Sequence, residues 1–140
     1  MLDFEKQFYN KKIEFIVGCD EAGRGPLCGP VVAAAVILPK NYDNELINDS
    51  KKLTEKKREF VFNEIIKNAI AYGIGYVYPE TIDKINIYEA SRIAMMTAIK
   101  NMNHRFDLVV SDCMPMKIPN VEVIPLVKGD AKCQCIAAAS

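Results

Sequence analysis

The sequence is poor in the residues that several common chemistries require. Its 140 residues hold a single histidine, His104, and no tryptophan. A Ser-His-Asp or Cys-His mechanism would have to run through that one imidazole. His104 lies in NMNHRF (101–106), where a helical pattern ends and a surface position is the simpler account. Net charge is lacking too, because 18 Lys and Arg balance 18 Asp and Glu. That balance argues against wholesale coating of nucleic acid, which needs a basic domain, but leaves room for a local basic groove. No apolar run nears the ~20 residues of a membrane span. The opening MLDFEKQFYNKK is too charged for a signal peptide. A cytoplasmic protein with no membrane partner is the expectation.

The five cysteines (Cys19, Cys28, Cys113, Cys133 and Cys135) are odd in number and come without an export signal, so reduced thiols fit better than disulfides. Cys133 and Cys135 form a C-x-C rather than the paired C-x-x-C of a zinc site. Repeats, low-complexity tracts and linkers are also missing. Half the residues are apolar and 26% charged, an ordinary globular composition. A single domain over residues 1–140 is expected.

What is present reads as alternating strands and helices. EFIVGCD (14–20) is a buried strand ending on an acid, followed by the turn EAGRGPLCGP (21–30) and the apolar strand VVAAAVIL (31–38). From Thr54, an N-cap with Glu55 in the first turn, the positions Phe60, Ile65, Ile66 and Ala69 predict an amphipathic helix. AYGIGYVY (71–78) is a third strand. Pro79 and Glu80 open a helical stretch whose packed face is Ile87, Ser91, Ala94, Met95, Ala98, Ile99 and Met102; the methionines there fill core. DLVVSD (107–112) and VEVIPLV (121–127) are further strands, KGDAK (128–132) a turn, and CQCIAAAS (133–140) the opening of a helix. The order predicts an α/β fold with a mixed five-stranded sheet flanked by helices.

Asp20 with Glu21, Asp112 and Asp130 fall at or just beyond strand ends. Two readings fit. Such acids are either merely solvated, or they converge on one edge of the sheet. Converging carboxylates repel and stay ionised together only around a cation. Mg²⁺ or Mn²⁺ suits an all-oxygen ligand set, and two such ions clamp the attacking and leaving oxygens of a phosphodiester. In the turn after Glu21, Gly23 and Gly25 allow close backbone approach, and Arg24 offers a fork suited to phosphate. Lys56, Lys57 and Arg58 read as a solvated helix face. Ser50 and Lys51, just before that helix, and Lys128, beside Asp130, are candidate phosphate contacts.

These segments carry a resemblance. GCDEAGRGPLCGPVVAAAVILP (18–39), NDSKKLTEKKRE (48–59), IDKINIYEAS (82–91), VVSDCMP (109–115) and VKGDAKCQCIAAAS (127–140) resemble, in order, the successive motifs of bacterial ribonuclease HII. The resemblance implies a ribonuclease H-like fold. It also implies endonucleolytic cleavage of the RNA strand of RNA–DNA hybrids and of duplex DNA carrying embedded ribonucleotides, leaving 3′-hydroxyl and 5′-phosphate ends. It implies that Asp20, Glu21, Asp112 and Asp130 bind two divalent ions, with Asp20 bridging them, and that Gly23, Arg24 and Gly25 read the ribose 2′-hydroxyl. The related ribonuclease HIII carries G-K-G at that turn and an extra N-terminal domain, so Arg24 favours the type 2 assignment. Cys133 and Cys135 stand where the family usually has Ser, a change of packing rather than of chemistry. A monomer is expected. Family members continue past IAAAS with further helices, so a domain incomplete at its C-terminus, lacking those helices, is expected. A second reading therefore stands beside the first: an inactive fragment that at most binds hybrid nucleic acid. An unrelated Mg²⁺-dependent nuclease on the same fold would differ from both in cleaving without regard to a 2′-hydroxyl.

Overall fold

A computed structural model of the chain describes residues 13–22, 31–39 and 55–126. Five strands form one sheet: β1 (Ile16–Ala22), β2 (Val31–Ile37), β3 (Ala71–Val77), β4 (Leu108–Asp112) and β5 (Glu122–Leu126). Their spatial order is β3-β2-β1-β4-β5. The pairs β1–β2 and β2–β3 are antiparallel, and β1–β4 and β4–β5 parallel. Three helices accompany them: α1 (Glu55–Asn68), α2 (Pro79–Lys84) and α3 (Ile87–Asn101). The fold is the expected α/β arrangement with a mixed five-stranded sheet. The terminal helix expected at 133–140 lies outside the described residues.

Side-chain alternation divides the sheet into two faces. On the inner face Val17 and Cys19 of β1, Ala33, Ala35 and Ile37 of β2, and Val109 of β4 pack with Ala94, Met95, Ala98 and Ile99 of α3 into one buried core. Helix α3 reaches this depth because its partner positions on β3 are glycines. A Cβ on Gly73 would stand 2.2 Å from the Ala98 carbonyl oxygen, and one on Gly75 2.2 Å from that of Ala94. The opposite, outer face buries Ile16, Val36, Leu108 and Val110, with Val61 and Ile65 of α1 also buried.

The expected helical stretch from Pro79 is in fact two helices. Asn86 caps α3 by accepting the Glu89 N–H at 2.8 Å, which separates it from α2 and starts a new helix. That restart leaves Ile87 exposed and buries Ala90 in its place. In α1 Ile65 is buried as expected, but Val61 rather than Phe60 occupies the preceding turn of the apolar face. Val61 and Ile65 are buried, whereas Phe60 is 56% exposed, and Ala69 falls beyond the helix.

Both sheet edges are guarded. Edge strand β5 carries Pro125, which has no N–H to offer a further strand. On β3, Asn101 Nδ2 donates to the Ile74 carbonyl at 2.8 Å. At the N-terminal end of the parallel pair, Asp107 Oδ2 accepts both the Glu14 and Phe15 N–H groups at 2.9 Å. These bonds, the Phe15 donor foremost, with the nearby Arg105 charge, hold the Asp107 carboxyl below the usual carboxylate range. Arg105 also stacks 4.6 Å above the Phe15 ring, and His104 meets the same ring edge-on with centroids 4.8 Å apart. His104 is thus a packing residue, far from the acids at the other end of the strands.

Two predictions follow from this packing. Gly75→Ala should lower unfolding stability by about 1–3 kcal/mol, because the methyl must displace helix backbone; a denaturant midpoint unchanged from the parent would contradict it. Asp107→Ala should cost about 1–2 kcal/mol at neutral pH. A depressed carboxyl contributes stability above its unfolded pKa and loses it as pH falls through its folded value, so the parent–variant gap should close on acidification. A gap constant with pH would count against the clasp.

Candidate active site

The site is built on β1, the central strand. In β1 and β4, which run parallel, Cys19 pairs with Ser111, and the next residues are Asp20 and Asp112. Alternation turns Cys19 and Ser111 to the inner face and the two acids to the outer one. Across the antiparallel junction Asp20 pairs with Ala34 and Glu21 with Ala33. The small side chain of Ala34 leaves space beside the Asp20 carboxyl. A cavity of about 260 Å³ opens there, between the acids, the outer face of β2 and β3, and α1, with Phe62, Tyr72 and Ile74 among its walls.

Asp20 was expected at a strand end, yet β1 runs on to Ala22. The consequence is burial: Asp20 is only 6% exposed. Its carboxyl pKa is pushed up to about 8, first by loss of solvation, then by the charges of Asp112 and Glu21. One interaction opposes this, the Glu21 N–H that donates to Asp20 Oδ1 at 2.8 Å. Burial and the same three acids push the Cys19 thiol far above its ordinary range. Cys19 therefore stays a thiol, wedged between Met95 Sδ at 4.0 Å and the Val110 carbonyl.

Asp112 is held by a tight turn. The buried Ser111 hydroxyl donates to the Met114 carbonyl, Cys113 adopts a left-handed φ of 56°, and its N–H donates to the Leu126 carbonyl of β5 at 2.9 Å. Ser111 and Cys113 thus belong to the scaffold of the site. Sequence reasoning missed them, since a positive φ at a non-glycine leaves no compositional mark. The one available signal was the short S-D-C-M-P run between two apolar strands.

Of the predicted site residues, the fold brings Asp20, Glu21 and Asp112 to one edge of the sheet. Asp130, Gly23, Arg24, Gly25, Ser50, Lys51 and Lys128 lie outside the described residues. Among the described residues no three ligand-type side chains are already gathered tightly enough to hold an ion. The donor set nevertheless suits a hard divalent cation, being all carboxylate oxygen. Burial and, after it, repulsion from Asp112 and Glu21 disfavour the charged Asp20 carboxylate, and a cation would offset both.

Comparison with known proteins identifies the family and the fold. A family profile described as ribonuclease HII matches residues 17–140. Ribonuclease HII of Listeria innocua serovar 6a is 49% identical over 140 residues, all of this chain and 53% of that protein. The chain spans about half the length of the curated relatives it matches. The crystal structure of ribonuclease H2 from Pyrococcus horikoshii OT3 superimposes with a TM-score of 0.78 at 26% identity, over 89% of this chain and 68% of that one. Bst ribonuclease HIII, solved in complex with Mn²⁺, shares the fold with a TM-score of 0.62 at 16% identity, over 92% of this chain and 50% of its own. From β1 onward, through the strands that carry the paired acids, the chain belongs to the ribonuclease HII family.

Proposed function

We propose that this chain carries the metal-dependent core of an endoribonuclease that hydrolyses the RNA strand of RNA–DNA hybrids and nicks duplex DNA at embedded ribonucleotides. The observation that supports this most is the buried Asp20 carboxyl, crowded by Glu21 and Asp112 on parallel neighbouring strands. In this reading Asp20, Glu21 and Asp112 hold two Mg²⁺ or Mn²⁺ ions with Asp130 as fourth ligand. Bound ions supply a water activated for in-line attack and neutralise charge on the phosphodiester. The chain's own groups set the geometry. The Glu21 N–H fixes the Asp20 carboxyl, which would hold metal together with Asp112, kept beside it by the Ser111–Met114 turn. Gly23, Arg24 and Gly25 read the 2′-hydroxyl, while Ser50, Lys51 and Lys128 contact flanking phosphates.

A second reading is that the chain binds hybrid nucleic acid without cutting it; the chain spans about half of its curated relatives.

Incubating the purified chain with Mn²⁺ and a labelled DNA duplex carrying one ribonucleotide separates the readings. The proposal predicts a metal-dependent nick at the ribonucleotide, lowered at least about a hundredfold in Asp20→Asn. A folded chain that binds the duplex without nicking it would favour the second reading. Nicking of an all-DNA duplex at equal rate would point to a nuclease that does not read the 2′-hydroxyl.

Metal-free stability gives a second prediction. The Asp20 pKa is raised in the folded state, so the folded protein retains a proton that the unfolded chain loses. The Asp20 contribution to stability is therefore most favourable below the unfolded pKa of about 3.9 and is lost as pH rises toward 8. Asp20→Asn removes this penalty and should be more stable than the parent by ~2 kcal/mol or more at pH 8, with little difference at pH 4. Equal denaturant midpoints at both pH values would contradict it.

A further inference from the structure

A groove unrelated to the acids runs along the outer side of α3. It has a volume of about 590 Å³ and lies between that helix, Phe106 in the α3–β4 connection, and the segment 117–119 in the β4–β5 connection. Its floor is apolar, formed by Ile93, Met96, Phe106 and Ile118. The polar side chain within it, Thr97, is occupied, since its hydroxyl donates to the Ile93 carbonyl of its own helix at 2.8 Å. The charged lining is wholly cationic: Arg92, Lys100 and Lys117, with no acid among them. Arg92 is partly neutralised by Glu89, whose Oε2 lies 2.7 Å from Nη2. Lys100 and Lys117 are exposed and form no ion pair among the described residues.

An exposed apolar groove of this size marks an interaction site in a soluble protein. The unpaired lysines state what charge its occupant carries. We propose that the groove docks a short acidic segment of a partner protein, whose one or two large apolar side chains seat on Ile93, Met96, Phe106 and Ile118 and whose carboxylates meet Lys100 and Lys117. Nucleic acid fits less well. A single-stranded site pairs a backbone-tracking line of cations with several stacking rings, whereas this floor is mostly aliphatic with one aromatic.

The test is fluorescence anisotropy of the 140-residue chain against a labelled Asp-Asp-Leu-Phe-Asp-Asp peptide, with Ser-for-Asp and Lys-for-Asp peptides as controls. Saturable binding is expected for the acidic peptide, weakening with salt. Affinity should drop at least about tenfold in the double variant Lys100→Glu, Lys117→Glu, and likewise in Ile93→Ser. All three positions are solvent-exposed, and unchanged thermal unfolding would show that the variants fold. The nicking activity proposed above should be unaltered in them, which separates this site from the acids. The proposal is overturned if the acidic peptide shows no saturable binding below ~1 mM. It is overturned equally if the Lys-for-Asp peptide binds as well, if the charge reversals leave affinity intact, or if a labelled RNA–DNA hybrid competes for the groove.

Discussion

The parallel pairing of β1 with β4 is the constraint on which the site depends. Because Cys19 lies opposite Ser111, the next residue of each strand is an acid, and both acids turn to the same face. The central strand then continues past Asp20 instead of ending there, which draws that carboxyl out of solvent. Two charges that would separate freely in an unfolded chain are held side by side, and folding carries an electrostatic cost at one spot. The rest of the domain offsets it. Helix α3 lies close against Gly73 and Gly75, small alanines fill the interface, and the resulting core is dense enough to keep the strands in register.

The two ends of the same strands show how environment decides what a carboxylate does. Asp107 precedes β4, accepts two backbone N–H groups and lies near Arg105, so its charged form is favoured and it ties the chain together. Asp20, a few residues along the neighbouring strand, has one backbone donor, two acidic neighbours and little solvent, so its charged form is disfavoured. One arrangement is satisfied as it stands. The other keeps its charges in conflict, and in the proposed reading a cation would neutralise them.

Much of this was legible in the sequence because alternation and apolar runs report directly on a sheet whose central strands are buried and whose edge strands alternate. All five strands fall where the runs lie, within two residues at either end. The helical face of 91–102 is also as read, since Ser91, Ala94, Met95, Ala98, Ile99 and Met102 are all buried. The misread parts share a cause, which is local geometry overriding pattern. Asn86 breaks the stretch after Pro79 by capping a new helix, and that shift moves Ile87 out and Ala90 in. Phe60 is exposed because helix α1 buries Val61 in its place beside the expected Ile65. For the site, Asp20, Glu21 and Asp112 were legible as acids ending apolar runs, whereas the turn that fixes Asp112, with Cys113 at positive φ, was not. No periodicity encodes it.

Mn²⁺ binding followed by electron paramagnetic resonance tests directly, without relying on catalysis, whether these acids form a cation site. The parent chain should bind Mn²⁺ at neutral pH, Asp112→Asn should bind at least about tenfold more weakly, and Asp20→Asn should lose binding at this site. Indistinguishable Mn²⁺ affinity in the parent and both variants would contradict the assignment of the β1–β4 edge as the metal site.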